Sequence, residues 1–219
     1  MSDIEKGDIH NGGAGSRLTG APRPTSIGNP ASLGLFSFAS TTFILSFYNV
    51  QVRGIKDPNV VVGMAMFCGG LAQLLAGMWE FPRGNVFGAT AFTSYGAFWL
   101  SFGTIFLPGT GIIAAYEGKG DELDSALGIY LFSWFIVTVL LLIASLRKSI
   151  AFVALFGFLS ITFLLLGAGK LTGKADLTTA GGAFGIITAF IAYYIGLSDL
   201  LAAERAAIVG LPLGGFKHD

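Results

Sequence analysis

Neutral polar side chains that can bind a small solute lie inside stretches of the chain that are otherwise apolar. The first stretch carries Phe38, Thr41, Thr42, Leu45 and Asn49 at offsets of 0, 3, 4, 7 and 11. This spacing predicts one face of a helix. Hydroxyl and amide groups bind a small anion without burying a fixed charge, which is unfavourable in a membrane. The pattern therefore indicates a permeation path.

Further apolar stretches add polar groups of the same kind. Gln73 lies seven positions before Glu80, on the same helical face, and Thr93 and Ser94 are adjacent in a third stretch. The fifth and sixth stretches contain Ser160, Thr162, Thr188, Tyr193 and Tyr194. Each residue alone also has a structural interpretation, because Ser and Thr bond to their own helix and Asn and Gln join helices. The hypothesis of a path rests on the set as a whole.

Catalytic and metal-binding patterns are missing from the sequence. The two histidines, His10 and His218, lie outside the apolar stretches, and there is no G-x-S-x-G, Walker A or H-E-x-x-H motif. Cys68 is the only cysteine, which excludes an internal disulfide and indicates a packed small side chain. We therefore expect no enzyme activity, no metal and no cofactor.

Two acidic residues lie close to the end of an apolar stretch. Glu80 and Asp199 are either solvated at the membrane interface, or take up protons, or pair with an arginine. Glu80 is the candidate proton site.

Composition indicates that helices in a membrane position these groups. The 219 residues are 53% hydrophobic and 12% charged, about half the charged fraction of a soluble domain. Six windows of 19 to 21 residues carry no charge, and that length suits a membrane-spanning helix. These windows do not show the alternation of apolar and polar residues over about ten positions that is typical of membrane β-barrel strands. We predict an all-α, polytopic membrane protein whose six transmembrane helices fall at 33–52, 60–79, 88–107, 126–146, 150–169 and 180–198.

The termini complete the predicted organisation. Residues 1–28 form a polar tail that we expect to be disordered, 29–205 the six-helix transport domain, and 206–219 a short C-terminal tail. The side of the membrane that holds both tails has eight Lys and Arg residues, against five on the opposite side, which favours cytoplasmic termini.

Partners and helix packing are also indicated by the sequence. A net charge of zero without a basic cluster excludes nucleic acid as a partner. Gly181 and Gly185 form a G-x-x-x-G pattern, which packs helices either within one chain or between copies.

A longer motif carries a family resemblance. Asn29-Pro30-Ala31 alone is similar to the aquaporin motif, but no second copy exists, so that family is rejected. The full string N-P-A-S-L-G-L at 29–35, followed by Phe38, Thr41 and Thr42, resembles the signature of the acetate uptake transporters, also called succinate–acetate permeases. Ser32 departs from the usual proline. The resemblance continues through G-G-L-A-Q at 69–73 and G-N-V-F-G-A-T-A-F-T-S-Y-G-A-F-W at 84–99, and covers about 29–205. The long polar tail is similar to fungal members.

The resemblance implies an assembly and a pore. It implies a homohexamer of six-helix protomers with one pore each, narrowest at Phe38, Tyr95 and Leu159. Ala192 matches a position near the pore that influences substrate size. Substrate contacts are assigned to Thr41, Thr42, Asn49, Gln73, Thr93 and Ser94. Asn29 either caps the first helix or binds substrate at the mouth.

The functional hypothesis follows from this resemblance. It implies a plasma-membrane transporter or channel for acetate and related short monocarboxylates, with succinate as a further substrate. Proton-coupled symport and passive anion flow both fit an uncharged pore. The alternatives are an ammonia or ammonium exporter and a non-transporting, acetate-responsive membrane sensor. Known ammonium channels use paired pore histidines, which this sequence lacks.

Overall fold

A computed structural model describes residues 27–204 and 207–216. Apart from its last two residues, the predicted disordered tail 1–28 lies outside the described residues. Part of the predicted C-terminal tail is described. It packs against the helices through hydrogen bonds such as Ser198 Oγ to the Leu211 carbonyl, at 2.7 Å.

The described part of the chain is helical, with a single isolated β-bridge, Ser149 to Gly215. Each predicted window contains a helical segment. The bounds are α1 Ala31–Asn49, α2 Val60–Met66, a π-helical segment Phe67–Ala72, α3 Gln73–Glu80, α4 Val86–Phe106, α5 Glu122–Ser145, α6 Ile150–Thr172 and α7 Ala175–Ala203. Five segments are long and apolar enough to cross a membrane, counting Val60–Glu80 as one. The remaining segment, α4, has 21 residues but is rich in Thr, Ser and Gly.

Glycines bring the helices of this bundle close together. α1 packs against α7, α7 against α6, α6 against α5, and α3 against α4. A Cβ added at Gly181 would lie 3.2 Å from the Leu166 backbone nitrogen on α6, and one at Gly182 would lie 2.9 Å from the Ser46 carbonyl on α1. Gly185 faces the Ser46 side chain. The G-x-x-x-G pattern therefore packs helices within one chain.

The second span contains an element that the sequence did not predict. Its middle, Phe67–Ala72, is π-helical, a rare geometry that is frequent at functional sites. Gly69 and Gly70 in this segment are buried. A Cβ at Gly69 would lie 2.7 Å from Trp99 Cδ1, so the glycine makes room for that indole ring. After the π segment, α3 buries Gln73 and Glu80 on its inner face.

The contact of α3 with α4 gives a stability prediction. A Cβ at Gly77 would lie 3.0 Å from Thr93 Cα and 2.5 Å from its backbone nitrogen. Because backbone does not move aside as a flexible side chain does, Gly77→Ala is expected to destabilise the protein by about 1–3 kcal/mol. Gly63→Ala is the matched control, since Gly63 is also helical and a Cβ there meets nothing within 4 Å. Thermal unfolding of the two variants in detergent checks this, and equal midpoints would contradict it.

Candidate functional site

Two cavities enter the helical bundle, and we name each by a basic residue in its wall. The Arg83 cavity has a volume of about 340 Å³ and is lined by residues from α1 and the segment before it, α3, the α3–α4 turn, α4, the α5–α6 turn, α6 and α7. The Lys56 cavity has a volume of about 380 Å³ and is lined by residues from α1, the loop before α2, α4, α5, α6 and α7. Both cavities are large enough for a small organic acid.

The two cavities share an apolar wall. Phe38 and Leu159 line both of them, and Tyr95 lines the Arg83 cavity. All three side chains are at most 5% exposed, and the rings of Phe38 and Tyr95 have their centroids 5.5 Å apart. The structure thus brings together the residues that the resemblance assigned to the constriction.

Hydrogen bonding fixes the orientation of the Tyr95 ring in this wall. Its hydroxyl lies 2.9 Å from Thr138 Oγ1 on α5. Thr138 uses its own hydrogen on the Trp134 carbonyl, at 2.7 Å, so Tyr95 is the donor. The ring also stacks on Phe156, with centroids 6.4 Å apart. Tyr95 therefore holds its polar end toward α5.

The predicted polar contacts divide between the two cavities. Gln73 lines the Arg83 cavity, and Thr42 and Asn49 line the Lys56 cavity. Gln73 is 1% exposed and its Oε1 has no hydrogen-bond partner among the described residues. The Thr42 hydroxyl likewise has none. These groups are available to a ligand.

Other residues predicted at the site line neither cavity. Thr41 donates to the Ser37 carbonyl at 3.0 Å and lies against Gly69. Thr93 lies against Gly77, and Ala192 is fully buried in the core. Ser94, on α4, is likewise absent from both walls.

Asn29 contacts the first helix and also lies at the mouth of a cavity. Its Oδ1 accepts from the Ala31 backbone N–H at 3.1 Å, in the first turn of α1, and from the Arg83 guanidinium at 2.6 Å. Asn29 also lines the Arg83 cavity. It therefore holds the start of α1 against the α3–α4 turn at the cavity mouth.

Glu80 pairs with an arginine, one of the three possibilities left open by the sequence. Its side chain is fully buried, and Oε2 lies 2.9 Å from an Arg83 nitrogen. Its Oε1 has no partner among the described residues, and Glu80 lines neither cavity. Asp199, in contrast, is part of the wall of the Arg83 cavity.

Comparison with known proteins identifies the family. The model of the GPR1/FUN34/yaaH family matches residues 14–213. The chain belongs to this family.

Individual relatives agree with the family match. "Ammonia transport outward protein 2" of Saccharomyces cerevisiae is 48% identical over 200 residues, which cover 91% of this chain and 71% of that protein. "Succinate-acetate/proton symporter SatP" of Escherichia coli is 35% identical over 191 residues, covering 87% and 97%. The solved structure described as the bacterial acetate channel SatP aligns with a TM-score of 0.75 at 32% identity, covering 85% of this chain and 99% of that one. With five candidate spans, this GPR1/FUN34/yaaH member is a multi-pass membrane protein.

The sequence analysis missed several residues that line the cavities of this family member. These residues are Arg83, Asn85 and Lys148 on one side and Lys56, Trp99 and Lys170 on the other. The basic residues were counted only for orientation. Their position directly beyond the ends of apolar windows was the signal that could have placed them at cavity mouths.

Proposed function

We propose that this chain carries acetate and related short monocarboxylates across a membrane, with succinate as a further substrate. The path runs between the Lys56 cavity and the Arg83 cavity and passes Phe38, Tyr95 and Leu159. The observation that supports this most is the shared apolar wall between two solute-sized cavities. The proposal includes α4 as the sixth span, because α4 supplies Tyr95 and other lining residues. It also includes a homohexamer in the plasma membrane with cytoplasmic termini, and 29–205 as the transport domain.

The chemistry of the wall favours a small, partly apolar acid. A narrow apolar constriction loses water readily and so excludes hydrated ions. Acetate carries a methyl group that tolerates this passage, while the polar groups on either side restore hydrogen bonds to its carboxylate. Basic residues line both cavities, Arg83 and Lys148 in one and Lys56 and Lys170 in the other, and they attract the anion to each mouth.

Proton coupling is part of the proposal. It is supported by the name of the E. coli relative, a proton symporter. Glu80 stays our predicted proton site, buried beside Arg83. Asp199 is the acid with direct access to a solute in the Arg83 cavity.

Ammonium transport is the second candidate function. The Arg83 cavity holds two acceptor groups: Gln73 Oε1, which has no partner in the described structure, and the Asp199 carboxylate. Acceptors of this kind suit a cation, and one relative is named for ammonia transport. Against this hypothesis, Arg83 and Lys148 line the same cavity and repel a cation. A non-transporting sensor is the remaining alternative.

Reconstitution in liposomes tests the proposed function. Radiolabelled acetate uptake is expected above that of protein-free liposomes when an inward proton gradient is imposed, and little uptake is expected with voltage alone. Voltage-driven flux without dependence on pH would indicate an anion channel instead. Uptake of labelled methylammonium in place of acetate would favour the second candidate. Flux of neither solute would leave the sensor hypothesis.

A further inference from the structure

The Lys56 cavity contains a buried donor that the pore proposal does not use. Trp99, on α4, is 3% exposed, lines this cavity, and its Nε1–H has no hydrogen-bond partner among the described residues. A buried donor without a partner is destabilising and rare in folded proteins. An unpaired indole N–H at a cavity wall therefore indicates a ligand that supplies the missing acceptor.

A second free donor lines the same cavity from the neighbouring helix. Thr42, on α1, is 5% exposed, and its hydroxyl has no partner among the described residues. Two further hydroxyls in this wall are bonded within the protein: Thr162 donates to the Phe158 carbonyl at 2.9 Å, and Tyr130 to the Phe98 carbonyl at 3.0 Å. Thr42 and Trp99 thus supply two neutral donors in one cavity.

The surrounding structure holds the indole ring in place. Trp99 packs edge to face against Phe98 and Phe102, with centroids at 4.9 and 6.0 Å. Its Cδ1 fills the space left by Gly69 in the π segment. Because the ring is fixed on these sides, the N–H keeps one direction.

The charges around this cavity select an anion. Lys56 and Lys170 line it, and no acidic side chain is part of its wall in the described structure. Lys170 is paired with Asp124 at 2.7 Å, outside that wall. Neutral donors with lysines at the mouth suit a carboxylate and not an ammonium ion.

We propose that Trp99 Nε1–H and Thr42 Oγ1–H together bind the carboxylate of a small organic acid in the Lys56 cavity. This inference rests on the proposed function, because it names the binding site on one side of the Phe38 and Leu159 wall. Each donor serves one carboxylate oxygen, and the methyl group of acetate points toward the aromatic wall.

Two conservative variants test whether the Trp99 and Thr42 donors bind the carboxylate. Trp99→Phe removes the indole N–H and keeps an aromatic ring, and Thr42→Val removes the hydroxyl and keeps the shape. Each is expected to weaken acetate binding about 10- to 100-fold, as a hydrogen bond to a charged group is lost. Trp134→Phe is the matched control, since it is the same substitution at a tryptophan that lines neither cavity. This control is expected to keep the KM of the unchanged protein.

Tryptophan fluorescence gives a measurement that does not depend on transport. The chain has three tryptophans, so Trp79→Phe combined with Trp134→Phe leaves Trp99 as the single emitter. Acetate titration is expected to shift its emission with saturation, and adding Thr42→Val is expected to move the midpoint about tenfold or more.

Liposome flux and Trp99 fluorescence together distinguish a failure of the proposed binding site from a failure of the proposed transport function. A saturable shift without flux in liposomes would support the site and contradict the transport proposal. Flux with an unchanged KM in both Trp99→Phe and Thr42→Val, and no shift in emission, would overturn the site and leave transport standing. A rise in KM in Trp134→Phe equal to that in Trp99→Phe would also overturn it, because general loosening would then explain the effect.

Discussion

Replacing Leu159 by alanine is expected to let longer acids through, so that the ratio of butyrate to acetate uptake rises about tenfold. Leu159 lines both cavities and is 3% exposed. Truncating it opens the wall that separates the cavities, at the point where the proposed path is narrowest. Competing uptake of the two labelled acids in the same proteoliposomes measures the ratio directly.

Leu155→Ala is a closely matched control for this prediction. Leu155 lies one turn earlier on α6, is 4% exposed, and lines the Arg83 cavity alone. Both substitutions remove the same atoms from the core and destabilise the protein by about 2–5 kcal/mol. Only Leu159→Ala is expected to change selectivity. Equal ratios in the two variants would place the constriction elsewhere.

The helices could be predicted from the sequence because a membrane demands uncharged stretches of a set length. The window at 150–169 corresponds to α6, and that at 60–79 to the second span. The π segment inside that span left no signal, since i to i+5 bonding has no composition of its own and Gly69-Gly70 merely permits it. The packing of Trp99 against Gly69 was hidden for the same reason.

The site was less accessible to sequence analysis than the fold. Thr41 and Thr42 both fitted the predicted polar face of α1, but at 100° per residue they lie on opposite sides of Phe38. Thr42 faces the Lys56 cavity and Thr41 faces Gly69 in the second span. Trp99 was overlooked because an indole in an apolar helix suggests packing. Its free N–H is visible only once its neighbours are placed.

The surroundings of the Glu80–Arg83 pair also could not be predicted from the sequence. The sequence allowed Glu80 to pair with an arginine, and Arg83 follows it by three positions. Spacing alone does not show that Glu80 is fully buried or that the same guanidinium reaches Asn29 at 2.6 Å. The Arg83–Asn29 hydrogen bond joins the start of α1 to the α3–α4 turn. The burial of Glu80 determines how much the Glu80–Arg83 pair contributes to stability.

Removing the positive charge of Arg83 is expected to destabilise the protein strongly. Arg83→Gln leaves the Glu80 carboxylate fully buried without its cation, and breaking a buried pair in this way costs about 3–5 kcal/mol. Thermal unfolding in detergent, at one scan rate for all variants, measures the effect. Lys170→Gln is the control, because it breaks a pair whose side chains are 40% and 48% exposed and is expected to cost about 1 kcal/mol or less.

A double variant distinguishes a buried charge from a lost contact. If the uncompensated Glu80 carboxylate causes the destabilisation, adding Glu80→Gln to Arg83→Gln neutralises it and is expected to recover part of the stability, so the two changes are not additive. If Arg83 acts only by holding Asn29 and the start of α1, the double variant stays as unstable as Arg83→Gln. A midpoint for Arg83→Gln equal to that of Lys170→Gln would contradict both, and would mean that Glu80 is solvated from the Arg83 cavity.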